Sequence, residues 1–516
     1  MNDKYGEQIR ILGEGSFGVV YHFKKGSKEY AIKKNISSSY SWNESGLGSD
    51  ILTEIAIQKK LTSDYIVRLL DVFNLDNDIY MVMPMASSSL SELINNKKIL
   101  DENMKKYMYQ LTLGALELYN NGIIHQDIKP DNILYFEDSD TLKIADFGAA
   151  KIDTCEKTID PDTLYTLLWR PPEIILDMKY NSKADVWALG IVFMDMFSNK
   201  YLFSDITSEQ ELIDRIFTLF GTPKKYEWPS MYNSPASIKI NEYEKQGLDG
   251  KINQDKYNKF RNLIYGMLTI IPENRLSIQQ VCAHPYFDSI RSHDCNLLSC
   301  EQILQNNTFT IDNIDYREKI LKGKQKLFMF LIEEIMDYTD TFREISLISK
   351  CLNIYQILFA ITGKTGKDVY NIAVDISLKL TSRYERHTDV DWDLEWDLLN
   401  RINFNCLSNT LTDFVDIYSS YDTSILKLAK KFTILIDLVP LSFSNDFKKN
   451  ALFSIFLACL YKHAIFQHDG YIPEFLKMCD QFIKDLGNFQ DYIFYFLFKE
   501  KRRECLFKLD THILTR

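Results

Sequence analysis

The sequence predicts two kinds of fold in one chain, an α+β part followed by an all-α part. Punctuation is the first observation: ten of the twelve prolines lie before residue 289, and after residue 311 only Pro440, Pro473 and five glycines remain. Periodicity is the second. Leu452, Ile455, Phe456, Cys459 and Leu460 fall at i, i+3, i+4, i+7 and i+8, and Ile372, Ile376 and Leu380 form a similar stripe, both patterns of amphipathic helices. The early part instead mixes strand-like and helical stretches. Between them, "DSIRSHDCNLLSCEQILQNNTF" (288–309) is polar with short apolar patches and reads as a linker. A chain of 516 residues, 46% of them hydrophobic, is long enough for two or three domains with sizeable cores.

The α+β part opens on "ILGEGSFGVVYHF" (11–23), in which Gly13, Gly15 and Gly18 fit GxGxxG. Residues without side chains let backbone amides approach phosphate oxygens closely. Alone the pattern is weak, because dinucleotide-binding folds share it. Here Val19, Val20 and Tyr21 follow, which suits a strand leaving a hairpin rather than a helix. "YAIKK" then places Lys33 on the next strand, where its ammonium can hold phosphates. "DILTEIAIQKKL" (50–61) is helical, and its Glu54 is available to pair with Lys33. A lone helical glutamate is usually a solvated charge. The order of glycine loop, lysine and glutamate argues for the pairing.

"HQDIKPDNILYF" (125–136), "ADFG" (145–148), "PPE" (171–173), "ADVWALG" (184–190) and "PENRL" (272–276) follow in that order. With these motifs the chain to residue 288 resembles a eukaryotic-type protein kinase. "YIVRLLDVF", "FTLFGTPKKYEWP" and "AHPYF" are similar to the text of cyclin-dependent kinases in particular. The resemblance implies a bilobal α+β fold, with a sheet-rich small lobe (1–86) over a helical large lobe (87–288), and ATP with magnesium between them. Asp127 would accept the hydrogen bond of a substrate hydroxyl and orient it for in-line attack. Lys129 would offset charge on the transferred phosphoryl group, and Asn132 and Asp146 would bind magnesium. Leu12, Gly13, Glu14, Gly15, Ser16, Gly18, Val20, Ala31, Lys33, Met83, Met85 and Ala86 would line the nucleotide site, with Met83 as gatekeeper and Pro84 to Ala86 as hinge. Glu173 would pair with Arg275, and Asp185 would anchor the catalytic loop. Leu167 and Arg170, after Thr166, match the segment that shapes a pocket for proline, so Ser/Thr-Pro targets are expected.

A kinase of this type needs a cyclin, and the all-α part resembles one. "YNIAVDISLKLTSRYER" (370–386) is similar to a cyclin-box helix that ends in A-S-K-(F/Y)-E-E, and "LEWDLLNRINFN" (394–405) to the helix after it. "KFTILIDLVPLSFSNDFKKNALFSIFLACLY" (431–461) resembles the second cyclin repeat. The implied layout is a kinase domain (1–288), a linker (289–311), and two cyclin-box-like folds (312–410 and 411–510). In cyclins a lysine and a glutamate clasp the kinase's activating helix, and the matching residues are Arg383 and Glu395. Where cyclins often carry a docking tryptophan, "GKQKLFMFLIEE" has Phe330. The linker region, 288–312, can extend roughly 80 Å, enough for activation within one chain, although exchange between two chains is also compatible.

Departures from the family cluster around one device. Three arginines usually hold an activation-loop phosphothreonine, and the matching positions are Thr53, Gln126 and Lys151, while the phosphothreonine position falls on Pro161. Asp160 or Asp162 offers fixed negative charge, and no arginine cluster awaits Thr158 or Thr163. The glycine loop has Ser16 and Phe17 where an inhibitory threonine–tyrosine pair is common. The expectation is a kinase that its own cyclin-like part activates without activation-loop phosphorylation. Two other readings stay open: a pseudokinase scaffold that presents a cyclin-like surface, and an active kinase with an unrelated helical interaction domain.

The bulk numbers lead to the expectation of a soluble intracellular protein. A formal charge of −11 argues against a general nucleic-acid binder, and the basic run 499–503 reads as a solvated helix end. The nine cysteines show neither CxxC pairs nor zinc spacing, as expected of free thiols in a reducing compartment. "MNDKYGEQIR" does not read as a signal peptide, and the longest apolar helical stretch is too short for a bilayer. The expected location is therefore cytoplasmic or nuclear.

Overall fold

The computed structural model describes residues 2–15, 18–35, 47–152 except 77, and 165–291 except 235, 237, 249–251 and 253–256. Beyond these it describes 342–362, 367–380, 392–404, 406–407 and the single positions 324, 327, 429, 430, 432, 454, 457 and 458. The chain divides into two compact units, Met1–Ser38 with Thr53–Leu297, and Ser39–Leu52 with Leu298–Arg516. The division falls inside one helix, α1 (Ser49–Lys60).

The first unit begins with a five-stranded antiparallel sheet in the order β1-β2-β3-β5-β4. Its strands are β1 (Glu7–Gly15), β2 (Gly18–Lys25), β3 (Lys28–Asn35), β4 (Asp71–Leu75) and β5 (Asp78–Pro84). Alternation explains the core: Phe23, Ile32 and Val82 point to one face and pack with Tyr5, while Phe73, Tyr80 and Tyr30 lean against them. Gly18 is required at the β1–β2 corner. Its φ is +140°, and a Cβ there would lie 2.2 Å from the Lys34 carbonyl oxygen. Gly13, by contrast, has open space around it.

The rest of this unit is mainly helical. α2 (Asp101–Asn120) and α3 (Lys183–Ser198) are its long supports, followed by α4 (Glu209–Phe220) and α5 (Asn258–Met267). α3 is buried from Ala184 to Met196, which is why its sequence is apolar nearly all round. Short strands β6 (Ser88–Ser89), β8 (Ile133–Phe136) and β9 (Thr141–Ile144) form a small sheet, and β7 (Ile123–Ile124) pairs with β10 (Lys151–Ile152). These ladders fix the segments between them, residues 125–132 and 145–150. The bilobal α+β expectation for the kinase part is met.

In the second unit the described elements are helices α6 (Phe342–Thr362), α7 (Lys367–Leu380) and α8 (Trp392–Arg401). α6 and α7 pack through Cys351, Tyr355 and Leu358 on one and Val369, Ile372 and Ile376 on the other, with the Tyr355 and Tyr370 rings 5.3 Å apart. The expected stripe is thus buried at Ile372 and Ile376, and Leu380 is half-buried. Arg383, Phe330 and most of the second expected repeat lie outside the described residues.

Candidate active site

Three segments of the first unit converge. Lys33 projects from β3, opposite Met81 of β5 and Val20 of β2. Its Nζ donates to Glu54 Oε1 of α1 at 2.6 Å and to Asp146 Oδ1 at 3.0 Å. Burial by itself would lower the lysine's pKa. The Glu54 and Asp146 carboxylates outweigh it and raise the ammonium to about 12. The same charge holds Asp146 below its ordinary value even though burial pushes the other way. Asp146 has a φ of +61°, a left-handed backbone that ends β9 and turns the carboxylate toward Lys33.

The catalytic loop follows β7. Asp185, buried in α3, accepts the backbone N–H of His125 at 2.6 Å and of Gln126 at 3.1 Å. Those two bonds hold Gln126 at a φ of +67°, a left-handed backbone immediately before Asp127. Asp127 Oδ1 accepts the Thr166 hydroxyl at 2.6 Å, and its Oδ2 lies 2.7 Å from Lys129 Nζ and accepts Asn132 Nδ2 at 2.8 Å. Lys129 in turn donates to Thr166 Oγ1 at 2.9 Å. A carboxylate, an ammonium and a hydroxyl therefore meet at one point.

The later part of the activation segment is described from Tyr165 onward. Arg170 donates through Nε and Nη2 to the Tyr165 carbonyl and through Nη1 to Glu209. Arg275 forms the expected ion pair with Glu173, bidentate at 2.7 and 2.8 Å, and also donates to the carbonyls of Thr269, Lys183 and Ile270. Both residues are fully buried.

Among the expected nucleotide contacts, Ala31 pairs with Met83 across β3 and β5, and Gly13 with Val20 across β1 and β2. Leu12, Gly13 and Glu14 are exposed on β1, Gly15 and Gly18 pair at its end, and Met85 and Ala86 follow β5, half-buried. Leu167 is half-buried beside Thr166, and Ser16 lies outside the described residues. The donor set suits magnesium. Asp146 offers a carboxylate and Asn132 an amide oxygen, hard ligands of the kind the ion takes alongside phosphate and water oxygens.

The sequence matches the protein kinase domain family over residues 6–287. The chain belongs to the protein kinase family. It is also 31% identical over 298 residues to the probable serine/threonine-protein kinase KIN28 homolog of Encephalitozoon cuniculi (strain GB-M1), a match that covers 54% of this chain and 94% of that one. The kinase part is that of an ATP-dependent serine/threonine protein kinase of the cyclin-dependent type. In such a kinase magnesium ATP supplies the phosphoryl group, and the protein's task is to position and to compensate charge. Lys33, locked by Glu54, would hold phosphate oxygens. Asp127 would accept the substrate hydroxyl's hydrogen bond in the place where it now accepts Thr166, and Lys129 would face the transferred group.

Two groups escaped the sequence reading. Tyr165 Oη donates to Asp185 Oδ1 at 3.2 Å, and Gln126 Nε2 donates to Tyr180 Oη. Neither tyrosine belongs to a motif that names a partner. In the second unit, Glu395 is fully buried and accepts Lys379 Nζ at 2.8 Å, while Asp375 also pairs with Lys379. The other Glu395 oxygen accepts the backbone N–H of Leu47 at 3.3 Å. The i, i+4 spacing of Asp375 and Lys379 was the available signal.

Proposed function

We propose that this chain phosphorylates serine or threonine followed by proline, and that its own C-terminal helical part, a cyclin-like fold of two repeats, switches it on without activation-loop phosphorylation. The bond from Leu47 N–H to Glu395 carries the reading. Leu47 stands two residues before α1, the helix whose Glu54 must meet Lys33. A buried carboxylate that takes the backbone there, with Lys379 behind it, is suited to hold the start of α1. This is the role that the cyclin resemblance assigns to a lysine–glutamate pair. Lys379 fills the lysine's part among the described residues.

Proline specificity draws support from Arg170. Its two donors occupy the Tyr165 carbonyl, next to Thr166. A substrate residue with an N–H at this point would find its acceptor already bonded. Proline has no N–H and loses nothing. Independence from phosphorylation draws support from Gln126, a neutral side chain that is buried and bonded to Tyr180.

The test uses the full chain, phosphatase-treated and then assayed on paired Ser-Pro and Ser-Ala peptides. The wild type is expected to be active and to prefer Ser-Pro. Glu395→Gln with Lys379→Met is expected to lower kcat at least tenfold. If that variant keeps wild-type activity, the helical part is an interaction domain and not an activator.

A further inference from the structure

We infer that Gln126, Tyr165 and Tyr180 are positioning residues, which together with Asp185 form a ring of hydrogen bonds and one aromatic contact that fixes the substrate-binding end of the activation segment on the catalytic loop. The inference rests on the reading that no activation-loop phosphate is needed, and it names the device that replaces it. The ring can be followed atom by atom. Gln126 N–H donates to Asp185 Oδ1 at 3.1 Å, and Tyr165 Oη donates to the same oxygen at 3.2 Å. The Tyr165 and Tyr180 rings meet edge to face, with centroids 6.4 Å apart at 86°. Tyr180 Oη closes the circuit by accepting Gln126 Nε2.

Burial gives the ring its weight. Gln126 is 2% exposed, Tyr165 2% and Tyr180 4%, and the two tyrosines share an apolar cluster with Ile124, Ile174 and Ala184. An arginine at position 126 would bring a full charge into this site, where the Asp185 carboxylate already accepts three hydrogen bonds. Gln126 is neutral, and its Nε2 donates to the Tyr180 hydroxyl, while its Oε1 is buried without a hydrogen-bond partner. Sequence separation gives the ring its function. Position 126 belongs to the catalytic loop, Tyr165 to the end of the activation segment, and Tyr180 to the segment that leads into α3.

Tyr165 sits between two substrate-facing features. Its carbonyl is the acceptor that Arg170 occupies, and the next residue, Thr166, bonds both Asp127 and Lys129. Tyr165 swinging out would move the proline pocket and the Thr166 contact together. ATP contacts on β1 to β5 would not move. The consequence is a selective loss in peptide handling.

The experiment is steady-state kinetics on the full chain after phosphatase treatment, with peptide and ATP varied separately and thermal midpoints recorded. Tyr165→Phe and Tyr180→Phe each keep the ring in the cluster and delete one hydroxyl. Each is expected to lower peptide kcat/KM about tenfold, mainly through KM, with the ATP KM unchanged. Gln126→Met deletes the same bond as Tyr180→Phe, so adding it to Tyr180→Phe should cost nothing further. The inference is overturned if the hydroxyl deletions leave peptide kcat/KM within twofold of wild type. It is also overturned if peptide and ATP parameters worsen together with a fall in thermal midpoint, or if Gln126→Met and Tyr180→Phe multiply. A wild type silent after phosphatase treatment would refute phosphate independence instead, which keeps the two failures apart.

Discussion

Glu173 and Arg275 allow a magnitude to be worked from contacts. Arg275 spends its guanidinium on two carboxylate bonds and three backbone carbonyls, and it lies 5.1 Å from the Trp187 ring. Glu173→Leu removes the counter-charge and leaves a guanidinium with no exposure to water. Breaking one side of a buried pair costs about 3–5 kcal/mol. At about 2–4 °C per kcal/mol for a domain of this size, the thermal midpoint should fall by roughly 6–20 °C. Glu173→Leu with Arg275→Met removes the stranded charge, but it strands the carbonyls of Thr269, Lys183 and Ile270. At about 1 kcal/mol for each lost bond, the double variant should remain about 3 kcal/mol below wild type, well short of the sum of the single losses. Differential scanning calorimetry of the full chain is the assay. A Glu173→Leu midpoint within about 2 °C of wild type, or strictly additive losses, would refute the claim that this pair is a buried and coupled unit.

Other outcomes follow from the same geometry. Lys33→Met should lower kcat at least about a hundredfold, because charge compensation is much of what a kinase supplies; a radiolabel transfer assay reads it. Arg170→Met should free the Tyr165 carbonyl and shrink the Ser-Pro over Ser-Ala preference, read as the ratio of kcat/KM on paired peptides. The pH dependence centres on Glu395, which burial pushes up to about 7 against the pull of Lys379. Its folded carboxyl binds a proton more tightly than the unfolded one. Its contribution to stability is therefore full below about pH 4.5 and is lost as pH rises toward 7. Urea midpoints of wild type should fall across that window relative to Glu395→Gln, and parallel curves would contradict the assignment.

Sequence alone determined the kinase motifs, because phosphate and metal chemistry demands fixed residue types at short fixed spacings. Asp127, Lys129 and Asn132 lie within six positions of one another, and "ADFG" carries Asp146 whatever surrounds it. It also gave the expectation that Glu54 meets Lys33 and Glu173 meets Arg275, both of which the structure brings together. It pointed to Gln126 as the residue to explain. Tertiary structure decided what explains it. Tyr180 is 54 positions from Gln126, and Tyr165 reaches Asp185 across 20. No local spacing encodes such contacts; they arise because β7, α3 and the end of the activation segment pack around one apolar cluster. The same holds in the helical part. A text match selected Arg383 and Glu395, while packing of the α7 and α8 segments set Lys379 against Glu395 and put the Leu47 backbone on the other oxygen. A motif fixes which groups are present. Which distant group satisfies a buried carboxylate or amide is settled only when the chain folds and leaves it no water to bond.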